Sequence, residues 1–582
     1  MRDKSIISLQ SFIIRWSVAF LLLFVWALPA LAQDDGQLIV ADPAAEKLYV
    51  YELPSLTLQA EFNNIRMAPQ AGFLPLKGER LIFINEEAVP QDEHEGEDEH
   101  GHQDESGHAD THSETIPSGE MIMLKMNLRG EPSIIGRAVV SWTGGVGQIA
   151  VHPKMEFAAV ASGTVHAEDG DHDEHGDHDD GAHDEGEDGD HGEDENGDHD
   201  EDGDHDEDSD HDEDGDDHDD GDDHDDDSTR EGSVSVVDLR WWTSSSYSTI
   251  ATNPVESEVP GIAIARSPDM LLQRLGSELP FAYSAQAHNE AGEDEEEHEG
   301  EHEGEDEDEG EHEDEDEHEG EDEHHEEGIH EAFRLSRLIG NEEAFLSDVE
   351  LGSRPQGDVI SHKLKVYCSA TDMGIECSDI DGGDLTPGIT LPYDTAERSG
   401  GRALYVRLAD DQRTVFSFIR DDSADPTDWT KWSNDAYIGN LETGAVIRVA
   451  LGPGLLHRFA LSRTVALYIL QGPQGDRAFL LDAAPQSPTF TQIMTTIALP
   501  ALREPLDPDL PPLADGQHLR LPALTPDGQW GFVTHGGDGL ISVINTAQAS
   551  IIQQLEVPTP LGGGGYVTAV QKKMKLSDTI GR

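Results

Sequence analysis

The stretch DHDEHGDHDDGAHDEGEDGDH, residues 171 to 191, sets five histidines among eleven carboxylates and contains no apolar residue larger than alanine. That mixture is ligand chemistry: neutral imidazole suits zinc, copper and nickel, and a carboxylate or water completes four-coordinate zinc. Three tracts share the pattern. Residues 86–116 hold 12 acids and 5 histidines, 166–227 hold 37 and 11, and 288–332 hold 27 and 8, with no lysine or arginine in any of them. A purely solvating acidic run needs no histidine, so the tracts read as metal-binding segments. The candidate ligands are His94, His100, His102, His108 and His112 in the first tract, and His172, His175, His178 and His183 in the second. The third contributes His298, His302, His312, His318, His324 and His325. Zn(II) is the expected ion, with Ni(II) or Cu(II) as alternatives accepted by the same donors. Protons compete at each imidazole near pH 6.5, so uptake is expected to fail below about pH 6. Calcium loops are a poorer fit. DHDEDG at 198–203 and at 210–215 opens like an EF-hand loop, but the twelfth positions are Ser209 and Gly221, where a bidentate glutamate is required.

The tracts distort the average. The 582-residue chain has a formal charge of −87, yet the tracts carry 76 of its 123 acids and 24 of its 29 histidines. The remaining 47 acids against 36 bases leave a net charge of −11, ordinary for a globular protein. The tracts themselves lack the apolar content to offset the entropy of ordering, so no fixed structure is expected of them without ligand. Nucleic acid is excluded as a partner because the charge repels phosphate. At the start, Arg2, Lys4 and Arg15 precede an apolar run from Val18 to Leu28, and Ala30-Leu31-Ala32 offers a small-residue cleavage site. Residues 1–32 therefore read as a signal peptide. The mature protein is expected to be periplasmic, or extracellular where there is no outer membrane, with no stable membrane anchor after cleavage. Cys368 and Cys377, the only cysteines, flank a tight turn and are expected to form a cross-strand disulfide, two structural thiols being the alternative. They are too few for a thiolate metal site.

The elements that must position the tracts are strands. Outside the tracts, short β-rich runs alternate with turn signals. The clearest unit, ALTPDGQWGFVTHGGDGLISVINTAQASIIQQLEV, reads strand, PDG turn, strand, HGGDG loop, strand, turn, strand. Similar frames recur about eight times. The spacing predicts an all-β fold, a seven- or eight-bladed β-propeller over residues 33–575 with three loop insertions and a tail at 576–582. The hairpin QLIVADPAAEKLYVYEL lacks a preceding inner strand, which GGGGYVTAV near the C-terminus can supply. Each tract falls between the second and third strands of its unit, so all three are expected on one face of the disc. HGGDG fills the same slot in the last unit, which adds His535, with Asp538 beside it, to the candidate ligands. His152 stands in an HPK turn on the opposite face, and His362, His457 and His518 show no ligand spacing.

The signal segment, a YncE-like propeller carrying TPDGQWGFVTHGGDGLISVINT, and acidic histidine-rich tracts together resemble the AztD-type periplasmic zinc metallochaperones. The resemblance implies zinc capture and transfer to the periplasmic solute-binding protein of a zinc ABC importer. Three long tracts exceed what that family pattern needs, so cation storage without specific delivery, or a secreted acidic interaction protein, is the competing reading. No nucleophile-base pair, cofactor loop or haem CxxCH motif is recognisable, so neither catalytic nor cofactor-binding residues are assigned and an enzyme is not expected.

Overall fold

In a computed structural model the chain divides into two units, residues 1–165 with 230–582, and residues 166–229. The structure describes residues from Gly36 to Met574 with breaks, the longest being 87–117, 164–231 and 276–328, with shorter ones that include 240–248 and 507–517. The signal segment, the unit 166–229 and every tract histidine named above lie outside the described residues.

The first unit is a ring of eight antiparallel sheets. The chain starts with β1 (Gly36–Asp42), β2 (Lys47–Leu53) and β3 (Leu58–Asn63), three strands of the sheet that closes the ring. Blade 1 comprises β4 (Leu74–Leu76), β5 (Arg80–Glu86), β6 (Ser118–Lys125) and β7 (Ser133–Ser141). Blade 2 comprises β8 (Gly147–Val151), β9 (Phe157–Gly163), β10 (Gly232–Asp238) and β11 (Thr249–Val255). Blade 3 comprises β12 (Gly261–Ala265), β13 (Met270–Leu275), β14 (Ile329–Arg334) and β15 (Phe345–Glu350). Blade 4 comprises β16 (Gln356–Ser361), β17 (Val366–Ala370), β18 (Gly374–Asp381) and β19 (Asp384–Pro392).

In blade 5 the inner strand is split into β20 (Arg402–Ala403) and β21 (Arg407–Leu408), both paired with β22 (Thr414–Asp421), followed by β23 (Ser433–Asn440) and β24 (Val446–Pro453). Blade 6 comprises β25 (Phe459–Leu461), β26 (Val465–Leu470), β27 (Arg477–Asp482) and β28 (Ile493–Ala498). Blade 7 comprises β29 (Pro522–Leu524), β30 (Trp530–His535), β31 (Leu540–Asn545) and β32 (Ser550–Glu556). Finally β33 (Tyr566–Gln571) pairs antiparallel with β1, from Gly36 opposite Gln571 to Ala41 opposite Tyr566, and supplies the inner strand of the closing blade.

Burial explains why the sequence encodes this arrangement. Middle strands are packed on both faces by neighbouring blades, so β1, β17 and β26 are buried at every position and read as continuous apolar runs. Outer strands meet solvent on one side, and β3, β24 and β28 alternate instead. The closing blade is held from both sides. Leu38, Val40 and Tyr49 share a core with Phe532 and Ile541 of blade 7, while Ile39, Val50 and Val570 pack with Phe83 and Ile122 of blade 1. Between blades 6 and 7 the PDG turn needs its glycine. Gly528 has φ +75°, and a Cβ there would lie 2.4 Å from Thr464 Oγ1 and 2.6 Å from Ser462 Oγ. Cys368 and Cys377, directly opposed on β17 and β18, are joined by a disulfide.

In such a ring the second-to-third and fourth-to-first connections emerge on one face, here the upper face, and the other connections emerge on the lower. The segments 87–117, 164–231 and 276–328 separate β5 from β6, β9 from β10 and β13 from β14. These are second-to-third connections in three consecutive blades. Composition misplaces two borders. Glu86 is the last residue of β5, and β14 begins at Ile329, four residues inside the tract read as 288–332. The run IHEAFR follows strand alternation, but its His330 and Glu331 are indistinguishable from tract residues when only residue types are counted.

Candidate functional site

The upper face collects most of the described histidines. His535 ends β30, His330 is the second residue of β14, and His457 and His518 stand just ahead of the inner strands β25 and β29. His152 and His362 follow β8 and β16, on the lower face.

By composition His330 belongs to the third tract, yet it is fully buried in the blade 3–blade 4 interface. Its Nε2 lies 2.7 Å from Ser369 Oγ and its Nδ1 2.8 Å from Ser378 Oγ, and its ring sits 4.5 Å from that of Tyr367. Both ring nitrogens are engaged by hydroxyls, so this imidazole serves blade packing. No sequence signal other than the strand alternation distinguishes it from its tract neighbours.

His535 is also fully buried, with Nε2 2.8 Å from Ser542 Oγ of the adjacent strand, while its Nδ1 has no hydrogen-bond partner. Burial first, and then the Arg520 guanidinium, pushes its pKa down to about 3. The imidazole is therefore neutral at any ordinary pH, but a bound cation would face a fixed positive charge. Asp538, in the HGGDG loop, accepts the backbone N–H of Arg503. His457 is similarly held neutral, well below the usual imidazole range, by burial and then by Arg458 and Arg420. Among the described residues no three His, Cys, Asp or Glu side chains gather as a metal site.

Several arginines stand in this part of the face, most of them paired. Asp435 is buried and receives Arg398 Nε at 2.6 Å and Arg448 Nη2 at 2.8 Å. Arg520 bonds Asp476 at 2.5 Å. The Arg420 guanidinium lies 4.8 Å from the Trp432 ring and donates to the Leu456 carbonyl. The charges acting on His457 and His535 are thus guanidiniums, whereas the acid-rich segments depart from blades 1 to 3. At the root of the first of these, the Glu86 carboxyl is pushed up by burial and accepts Trp142 Nε1–H at 3.4 Å.

No family model matches the chain, and no curated protein matches its sequence. Solved structures do. AztD from Citrobacter koseri is 9% identical, covering 93% of this chain and 99% of its own with a TM-score of 0.50; its apo form gives 8% identity, 92% and 98% coverage, and 0.47. The dihydro-heme d1 dehydrogenase NirN, in complex with DHE, is 10% identical over 92% of this chain and 75% of its own, with a TM-score of 0.44. At such identities the likeness concerns architecture: the chain is an eight-bladed β-propeller sharing its fold with AztD.

Proposed function

We propose that this chain is an exported zinc-binding protein that captures Zn(II) on its three histidine-rich acidic segments and hands it to the solute-binding protein of a zinc importer. The observation that carries the reading is positional. The three segments occupy the same connection in three consecutive blades, between β5 and β6, β9 and β10, and β13 and β14, so their anchoring strands all open onto one face. Twenty-three of the 24 tract histidines remain available for ligation once His330 is assigned to the blade. The arginines beside His457 and His535 support the same division of labour, since a dication is disfavoured next to them and favoured among carboxylates. The shared fold with AztD and the sequence resemblance to AztD-type chaperones support zinc as the ion and delivery as the purpose.

Ligands on a chain that must order itself bind individually weakly, so the segments act through number and fast exchange. Equilibrium dialysis with metal analysis at pH 7.5 tests the reading, comparing the full chain with a variant whose three segments are replaced by HGGDG-length loops. Several zinc ions per full chain and at most one on the variant are expected. Equal stoichiometry in both refutes it.

A further inference from the structure

On the upper face Arg458 has no described carboxylate partner, unlike Arg398, Arg448 and Arg520. Arg458 precedes β25, and its guanidinium carbon lies 5.6 Å from the centroid of the Tyr405 ring and 5.5 Å from that of Tyr566. Tyr405 occupies the gap between β20 and β21, the split inner strand of blade 5, and Tyr566 opens β33, the inner strand of the closing blade. A side chain from blade 6 that meets the inner strands of blade 5 and of the closing blade, two blades further on, lies along the axis where the inner strands converge.

Arg398 and Arg448 share Asp435, and Arg520 has Asp476, but no described carboxylate pairs with Arg458, and its buried Nε has no hydrogen-bond partner. The aromatic faces stabilise the charge in part. They leave in-plane N–H donors unspent, and a planar fork of donors is the geometry that binds an oxyanion in bidentate fashion. The Tyr405 ring lies against the guanidinium, and its phenol is a further donor that an anion bound there can accept. The split of the inner strand, which breaks the regular ladder at Tyr405, delivers this phenol to the axis.

We propose that Arg458, with Tyr405 and Tyr566, forms a binding site for a small oxyanion, a carboxylate or phosphate group, in the central channel. The site is separate from the zinc-capturing segments and does not depend on them. A buried guanidinium N–H without a partner is costly, so an anion that reaches Nε gains a hydrogen bond that the free protein lacks.

The test uses the full chain, freed of metal on a chelating resin, titrated calorimetrically with inorganic phosphate, acetate or chloride at constant ionic strength. Saturable binding of phosphate or acetate, with a dissociation constant of about 1 mM or tighter and no response to chloride, is expected. The anion that saturates identifies the source, phosphate or carboxylate. Arg458→Gln should weaken that binding at least tenfold, Arg458→Lys, which keeps the charge but loses the fork, several-fold, and Tyr405→Phe several-fold. Absence of saturable binding to the unmodified chain overturns the proposal, as does a folded Arg458→Gln protein that binds within twofold of it. Should Arg458→Gln fail to fold, unchanged affinity in Tyr405→Phe overturns it equally. Because metal is absent throughout, failure here is distinguishable from failure of the zinc reading.

Discussion

Replacing His330 with phenylalanine separates a structural imidazole from a metal ligand. Phenylalanine keeps an aromatic ring against Tyr367 but removes both nitrogens, leaving Ser369 and Ser378 without the partners they hold at 2.7 and 2.8 Å. Both serines are fully buried, so water cannot compensate. A buried hydroxyl deprived of its partner costs about 1–3 kcal/mol, and the pair should therefore lower stability by about 2–6 kcal/mol. Urea denaturation followed by intrinsic fluorescence reads this as a lower midpoint at unchanged slope. Adding Ser369→Ala and Ser378→Ala to the same chain should recover most of the loss, since no donor or acceptor is then stranded. Zinc stoichiometry should not change. A single variant that loses less than about 1 kcal/mol, a triple variant no more stable than the single one, or a drop of one zinc per chain would each refute the assignment of His330 to blade packing.

Two other expectations concern the ring itself. His535 has a folded-state pKa of about 3 against about 6.5 when unfolded, so the folded state binds fewer protons between those values and stability falls as pH drops below 6.5. Between pH 6.5 and 5 the contribution is about 2 kcal/mol, and His535→Gln should flatten the acid limb of midpoint against pH by that amount; an unaltered slope contradicts it. Truncation after Pro560 removes β33, strips β1 of its inner partner and takes away the buried Ala569 and Val570. The shortened chain should unfold at a lower midpoint and self-associate through the bared edge in sedimentation velocity, and a stable monomer would contradict the closing role given to β33.

Much of this architecture is written locally in the sequence. The PDG turn ahead of WGFVT, the apolar runs LIFI and VALYIL, and the missing inner strand ahead of QLIVAD all announce blades, and GGGGYVTAV announces how the ring closes. The exact number of blades was harder to read, because the inner strand of blade 5 is two dipeptide pieces around Tyr405 and gives no strand-length run. What composition obscured was the edge of the third tract, where His330 shares residue type with its neighbours but faces a different blade. Arg458 left no trace at all. In GLLHRFAL nothing marks one arginine as special, since the absence of a counter-ion and the presence of two tyrosines from distant segments exist only after the blades have assembled.

The pairing of Gly36 with Gln571 also dictates a temporal order. Strand β1, paired with β2 on one side only, must wait until β33 has been made before it acquires its inner neighbour. Six or seven finished blades can accumulate meanwhile, but none of them encloses the axis. A nascent chain therefore passes through a long interval as an open arc, and any activity that needs the enclosed axis begins abruptly with the arrival of a single short segment.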